Sequence, residues 1–294
     1  MSETLLSVRD LRVAFPTRQG VFEAVRGVSF DLGRERLGVV GESGSGKSMT
    51  GRAILGLVRP PGKVTADRLT LDGQSILNLP ERKMRAIRGS HISMVMQDPK
   101  FSLNPVVKIG DQIMEAYRLH AGRGSGNARD KALEMLAAVQ IRDPERVMDA
   151  YPHEVSGGMG QRIMIAMMLA PDPEILIADE PTSALDVSVR TEVLNIMDRL
   201  VRDRGMGLIF ISHDLNLVAQ FCDRVLIMYA GRIVETIEAK NLHNARHPYT
   251  QGLLNSLPRL DQPVKHLPVL ERQDSWRDAP LIDESMETEL PGGL

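Results

Sequence analysis

Two hydrophobic rhythms run along the chain. Polar and apolar residues alternate over residues 7–15, with Val8, Leu11 and Val13 on one side, and a second strand-like run covers residues 22–32. Together they predict a β-rich edge, extended by a strand–turn–strand with Asp72 and Gly73 at its tip. Other apolar stretches do not alternate: residues 37–40, 92–96, 175–178 and 207–212 are short continuous runs, the pattern of strands buried inside a sheet. Helical spacing appears at residues 53–57, 109–120, 129–140 and 163–169, and again where Val189, Val193, Met197 and Leu200 keep one face until Gly205 stops them. A last strand pair, 223–228 and 231–235, turns on glycine. The alternation of these elements predicts an α/β fold.

The first buried run leads into Gly41, Glu42, Ser43, Gly44, Ser45, Gly46, Lys47, Ser48 and Met49, which fits the phosphate-binding pattern G-x-x-x-x-G-K-[ST] in a strand–loop–helix context. Backbone N–H groups can converge on phosphate oxygens only where a Cβ does not obstruct the wrap, hence Gly41, Gly44 and Gly46. Lys47 is expected to reach the β- and γ-phosphates and Ser48 to offer its hydroxyl to Mg²⁺, at the positive end of the following helix. The chain is therefore expected to bind ATP. Phe15 and Phe22 are candidates for stacking on a base or for packing in the core.

Downstream strands end in chemistry-bearing residues. Gln97 follows the run 92–96, where its amide oxygen suits Mg²⁺ or an attacking water better than a solvated loop. Asp179 and Glu180 end the run 175–178; Asp179 is expected to hold Mg²⁺ indirectly or through water, and Glu180 to act as general base. His213 ends the run 207–212 and is a candidate γ-phosphate contact. Ser156, Gly157 and Gly158 open an apolar helix and form either a second anion site or a plain helix cap.

The ordered set of phosphate loop, Gln97, Ser-Gly-Gly, LIADEP, SALD and His213 resembles the nucleotide-binding subunits of ATP-binding-cassette transporters. More narrowly, GESGSGKS, the QDP…SLNP loop, the M-x-Q-R form of the signature and His247-Pro248-Tyr249-Thr250 are similar to the oligopeptide/dipeptide importer ATPases. The resemblance implies a RecA-like core, an antiparallel β subdomain and a helical subdomain at about residues 100–165, within a cassette spanning 1–241. A C-terminal extension, 242–294, would follow, its acidic, Pro-containing tail disordered. It implies an ATPase powering solute import, working as a head-to-tail pair in which the Ser-Gly-Gly of one subunit covers the ATP on the loop of the other. The implied partners are two transmembrane permease subunits, touching the loop 101–105, a second ATPase chain of a different or the same kind, and indirectly a periplasmic or lipid-anchored solute-binding protein. The implied place is the cytoplasmic face of the inner membrane.

Two departures stand out: Gly160 lies where these importers usually carry Arg or Lys, and no cysteine follows the HPYT segment, so the iron–sulfur cluster of some relatives is not expected. Cys222 is the single cysteine, which leaves no internal disulfide. The 294 residues carry a net charge of −2 without a dense basic block, which argues against nucleic acid as a partner. No window approaches the roughly 18 apolar residues of a membrane span. A soluble cassette ATPase acting on ribosomes or nucleic acid, and a subunit that binds ATP without hydrolysing it, are the competing functions. The single cassette, the absence of a heptad insertion, and the presence of Glu180 and His213 weigh against them.

Overall fold

The computed structural model describes residues 3–96, 102–120, 127–183, 185–256 and 273–283. It divides into two units, Met1–Asn78 with Phe210–Leu294, and Leu79–Ile209. The chain enters and leaves the second unit once, returning to the first within a strand.

The first unit opens with β1 (Leu6–Thr17), β2 (Gly20–Leu32), β3 (Arg36–Val40), α1 (Lys47–Ile54), β4 (Lys63–Thr65), β5 (Arg68–Leu71) and β6 (Gln74–Ser75). β1 pairs antiparallel with β2, β4 and β5, and β5 with β6, giving the expected antiparallel layer. Val8, Leu11 and Val13 are fully buried although Val8 and Leu11 are three apart. A register irregularity between them, with Asp10 at φ 47°, supplies the extra residue that returns Leu11 to the core face. α1 ends three residues before the apolar spacing predicts. Gly56, at φ 61°, closes it: the Gly56 N–H donates to Ala53 O at 3.0 Å and the Leu57 N–H to Arg52 O at 2.8 Å, satisfying the last carbonyls.

The second unit holds α2 (Glu81–Ile87), β7 (Ile92–Val95), α3 (Ile109–His120), α4 (Ala128–Ala138), α5 (Pro144–Asp149), α6 (Gly157–Leu169), β8 (Ile175–Asp179), α7 (Val187–Arg204) and the start of β9 (Gly207–Ser212). β7 and β8 are parallel and buried throughout, as continuous apolar runs require. α3, α4, α5 and α6 pack on one another around Ile109, Ile113, Met135, Leu136 and Ile163. Gly205, at φ 58°, stops α7 where the sequence predicts it.

Back in the first unit come α8 (Leu215–Phe221), β10 (Arg224–Tyr229), β11 (Arg232–Glu238), α9 (Pro248–Asn255) and β12 (Ile282–Asp283). β3 and β10 are parallel, β10 and β11 antiparallel across the Ala230–Gly231 turn, and β11 and β12 parallel. The glycine in β3 has a packing reason: a Cβ on Gly38 would fall 2.3 Å from Val218 of α8. The described residues of 242–294 belong to the first unit. Gln97, Phe101 of the 101–105 loop, Ala184 and most of the tail expected to be disordered lie outside the described residues; its described part, 273–283, carries the buried Trp276 and β12. Among the described residues no helix is long and apolar enough to cross a membrane.

Candidate functional site

β3 ends at Val40 and delivers the chain into the loop that precedes α1. The three glycines serve different ends. Gly44 and Gly46 have φ of 82° and 102°, a region that favours glycine. Gly41 is needed for room, since a Cβ there would lie 2.1 Å from the carbonyl oxygen of Met228. Nothing lies within 4 Å of a Cβ built on Gly44, so that side of the loop is open, and Ser43 and Gly44 are exposed. The far side is anchored: the Gly231 N–H donates to Ser45 O at 3.0 Å and the Arg26 N–H to Gly231 O at 2.7 Å.

Lys47 is 5% exposed, and its Nζ donates to Gly41 O at 2.7 Å and Glu42 O at 2.9 Å. The ammonium is thus folded back over the start of the loop. α1 starts at Lys47 rather than Ser48, capped by Gly46 without a side-chain acceptor and with no acidic residue in its first turn. Its first N–H groups therefore retain a positive field that suits an anion. Ser48 and Met49 are half-buried in that turn, while the Thr50 hydroxyl donates to Gly46 O at 3.0 Å. An open glycine wrap, a helix start without an acid and a buried lysine together fit a nucleoside triphosphate.

Phe15 and Phe22 face each other across the β1–β2 pair. Phe15 is half-buried, and its ring edge would lie 2.6 Å from a Cβ on Gly62, whereas Phe22 is 59% exposed. His213 follows β9 directly and is exposed. Asp214, next to it, caps α8 by accepting the Leu217 N–H at 3.1 Å, and its own N–H donates to Ser212 Oγ at 3.0 Å, so the backbone around the histidine is held on both sides.

In the second unit, Asp179 is the last residue of β8 and 5% exposed, a hard oxygen donor of the kind Mg²⁺ takes. Glu180 follows at φ 48°, uncommon for a residue with a side chain. Ser156 accepts the Met159 N–H at 3.4 Å at the start of α6, whose first turn holds no acid. Ser156 and Gly157 are exposed, and a Cβ on Gly157 would meet nothing within 4 Å. Gly158 is closed in, because a Cβ there would lie 2.5 Å from Val189 Cγ1 of α7. Gly160, one residue beyond Met159, is buried.

The sequence does not reveal a group that touches the phosphate loop from the C-terminal segment. Tyr249, fully buried in α9, accepts the Glu42 N–H on its hydroxyl at 3.1 Å. The HPYT motif is legible, but nothing in it tells which loop the tyrosine reaches.

The model for the ABC transporter family matches residues 25–183, and that for the oligopeptide/dipeptide transporter C-terminal region matches residues 234–280. The oligopeptide transport ATP-binding protein OppD of Salmonella typhimurium is 47% identical over 88% of this chain and 78% of its own length. The dipeptide transport ATP-binding protein DppD of Bacillus subtilis is also 47% identical, over the same shares. Among solved structures, the dimeric bacterial ABC transporter cassette MJ0796 superposes with a TM-score of 0.71 at 26% identity, covering 80% of this chain and 99% of that one. A post-hydrolysis state of the same cassette, bound to ADP and phosphate, superposes equally well at 25% identity. Motifs, fold and relatives agree: the chain belongs to the ABC transporter family as an ATP-binding ATPase subunit, with the C-terminal region of the oligopeptide/dipeptide branch.

Proposed function

We propose that this chain hydrolyses ATP to power import of peptides or a related small solute across the bacterial inner membrane, from the cytoplasmic face. The observation that carries this reading is the presence, on one chain, of a complete cassette and the C-terminal region of the oligopeptide/dipeptide branch. Relatives named for oligopeptide and dipeptide transport support the cargo class.

In this reading the backbone of Gly41–Ser48 binds the triphosphate, with Glu42, Ser43, Ser45 and Met49 completing the cradle and Phe15 beside the base. Lys47 exchanges its carbonyl partners for phosphate oxygens, which hold the same ammonium more strongly because they carry charge. Glu180 takes the proton of the attacking water, and Gln97 and His213 orient that water and the γ-phosphate. Mg²⁺ would be held by Ser48, Gln97 and Asp179, where it would offset phosphate charge. Ser156, Gly157 and Gly158 cover the ATP of a second ATPase subunit, so ATP joins the pair and hydrolysis releases it. Two permease subunits receive the motion, and a solute-binding protein on the far side selects the cargo.

Purification of the tagged chain in mild detergent from its host membranes tests the assembly. Recovery with permease subunits and a second cassette is expected. Recovery from the cytosol alone, with ribosomes or nucleic acid, would overturn the transport reading.

A further inference from the structure

The C-terminal segment does more than follow the cassette, because it reaches the start of the phosphate loop with a single hydroxyl. β11 carries Glu235, 1% exposed, whose carboxylate accepts the Arg246 N–H at 2.7 Å and the His247 N–H at 3.3 Å. Those bonds fix where α9 begins. His247 then caps α9, its Nδ1 accepting the Tyr249 N–H at 3.1 Å. The tyrosine ring is held by aromatic neighbours, with Tyr229 at 4.6 Å and Trp276 at 6.1 Å between ring centroids. Trp276 is itself pinned by the residues that follow it: Asp278 meets Arg26 at 2.6 Å and β12 pairs with β11. The result is a rigid aromatic wedge whose polar tip accepts the N–H of Glu42.

Glu42 is also where Lys47 attaches, through the Glu42 carbonyl. Glu42 is therefore held on both sides of its backbone: Lys47 and the Ser45 N–H donate to its C=O, and Tyr249 accepts its N–H. A phosphate in the loop competes with that carbonyl for the lysine's donors. The tyrosine bonds the other side of the same residue, at its N–H, apart from that exchange of the lysine's donors.

We propose that Tyr249 is a positioning residue for nucleotide binding: through Glu42 the C-terminal segment holds the phosphate loop open in its binding shape. This inference rests on the ATP-binding reading of the loop. Because the hydroxyl acts on the cradle and not on the attacking water, its loss changes ATP affinity and leaves the chemical step alone.

The test uses the full chain with Tyr249→Phe, which keeps the ring packing and deletes the hydroxyl. A neutral hydrogen bond of this kind is worth roughly a three- to tenfold factor, so the ATP dissociation constant and the KM of the assembled importer are expected to rise by that factor with kcat unchanged. Trp276 is the only tryptophan of the chain and serves as a reporter. Its emission is expected to shift on ATP binding in the wild type, and to respond less in the variant. An unchanged dissociation constant, or a fall in kcat at constant KM, would overturn the proposal. Where the variant also melts lower, amide exchange decides: faster exchange confined to the peptide containing Glu42 supports the proposal, and uniform loosening overturns it. Failure of the wild-type chain to bind ATP would instead overturn the reading of the loop itself.

Discussion

Ser183 donates twice to the carbonyl oxygen of Glu180, through its N–H at 3.3 Å and its hydroxyl at 3.1 Å. Between these bonds Glu180 is held at φ 48°. A side chain in that region costs energy, of order 1 to 3 kcal/mol, and the turn residues 181–183 stabilise it. The consequence is a carboxylate whose backbone is fixed in a direction that a relaxed strand end would not give.

Glu180→Gln is accordingly expected to keep the turn, because the side chains have nearly the same shape, and to remove the proton acceptor. A general base contributes roughly 10² to 10⁴ in rate. Steady-state hydrolysis should fall by that order while ATP binding, followed by a fluorescent analogue, persists. Unchanged turnover would remove Glu180 from the role.

Lys47→Met keeps the buried stem and deletes the ammonium. Hydrogen bonds to a charged group are worth roughly 1.5 to 3 kcal/mol, so ATP affinity is expected to fall by about tenfold to more than a hundredfold. Isothermal titration with ATP checks this.

The two glycines at the start of α6 are expected to behave differently when replaced by alanine. At Gly158 the new methyl meets Val189, and overpacking of this kind costs about 1 to 3 kcal/mol. The loss should be partly recovered in the double variant with Val189→Ala. At Gly157 the space is open, so stability should hold or rise by up to about 1 kcal/mol from helix propensity. ATPase activity of the assembled pair should nevertheless drop if that open face meets a nucleotide. Thermal melts set against activity separate the two effects.

His247 predicts a pH dependence of stability. Burial pushes its pKa below the ordinary value, with Glu235 opposing as the smaller influence, and its Nδ1 must stay unprotonated to accept the Tyr249 N–H. A depressed pKa in the folded state means that the unfolded chain binds the proton more readily. The stabilisation is therefore present above about pH 6.5, the ordinary histidine value, and is lost as the pH falls below it. His247→Asn retains a capping acceptor without the titration. Denaturant midpoints between pH 7.5 and 5 should fall more steeply for the wild type than for this variant.

Much of this molecule is legible in the sequence because its chemistry sits at element boundaries with strong local signals. The phosphate loop announces itself through Gly44, Gly46 and Lys47, and Asp179–Glu180 through a continuous apolar run that stops at two acids. The caps at Ser156 and Gly205 follow from residue type alone, and both lie where local pattern puts them. What the sequence hides is non-local. The bulge at Asp10 disguises the true period of β1, and Gly56 ends α1 while the apolar spacing continues to Leu57. Gly41 reads as room for the phosphate wrap, yet what closes on it is the Met228 carbonyl, far along the chain in β10. Tyr249 reads only as one letter of the HPYT motif. Its hydroxyl gains meaning only when folding brings it to Glu42, 207 positions away.

The most direct test of the account is peptide uptake by vesicles into which this chain has been reconstituted with its co-purified permease subunits, second cassette and solute-binding protein. Uptake that requires ATP, with stimulated hydrolysis, and that collapses with Glu180→Gln in this chain is the predicted result. Uptake that proceeds unchanged with Glu180→Gln, or hydrolysis indifferent to permease and peptide, would contradict it.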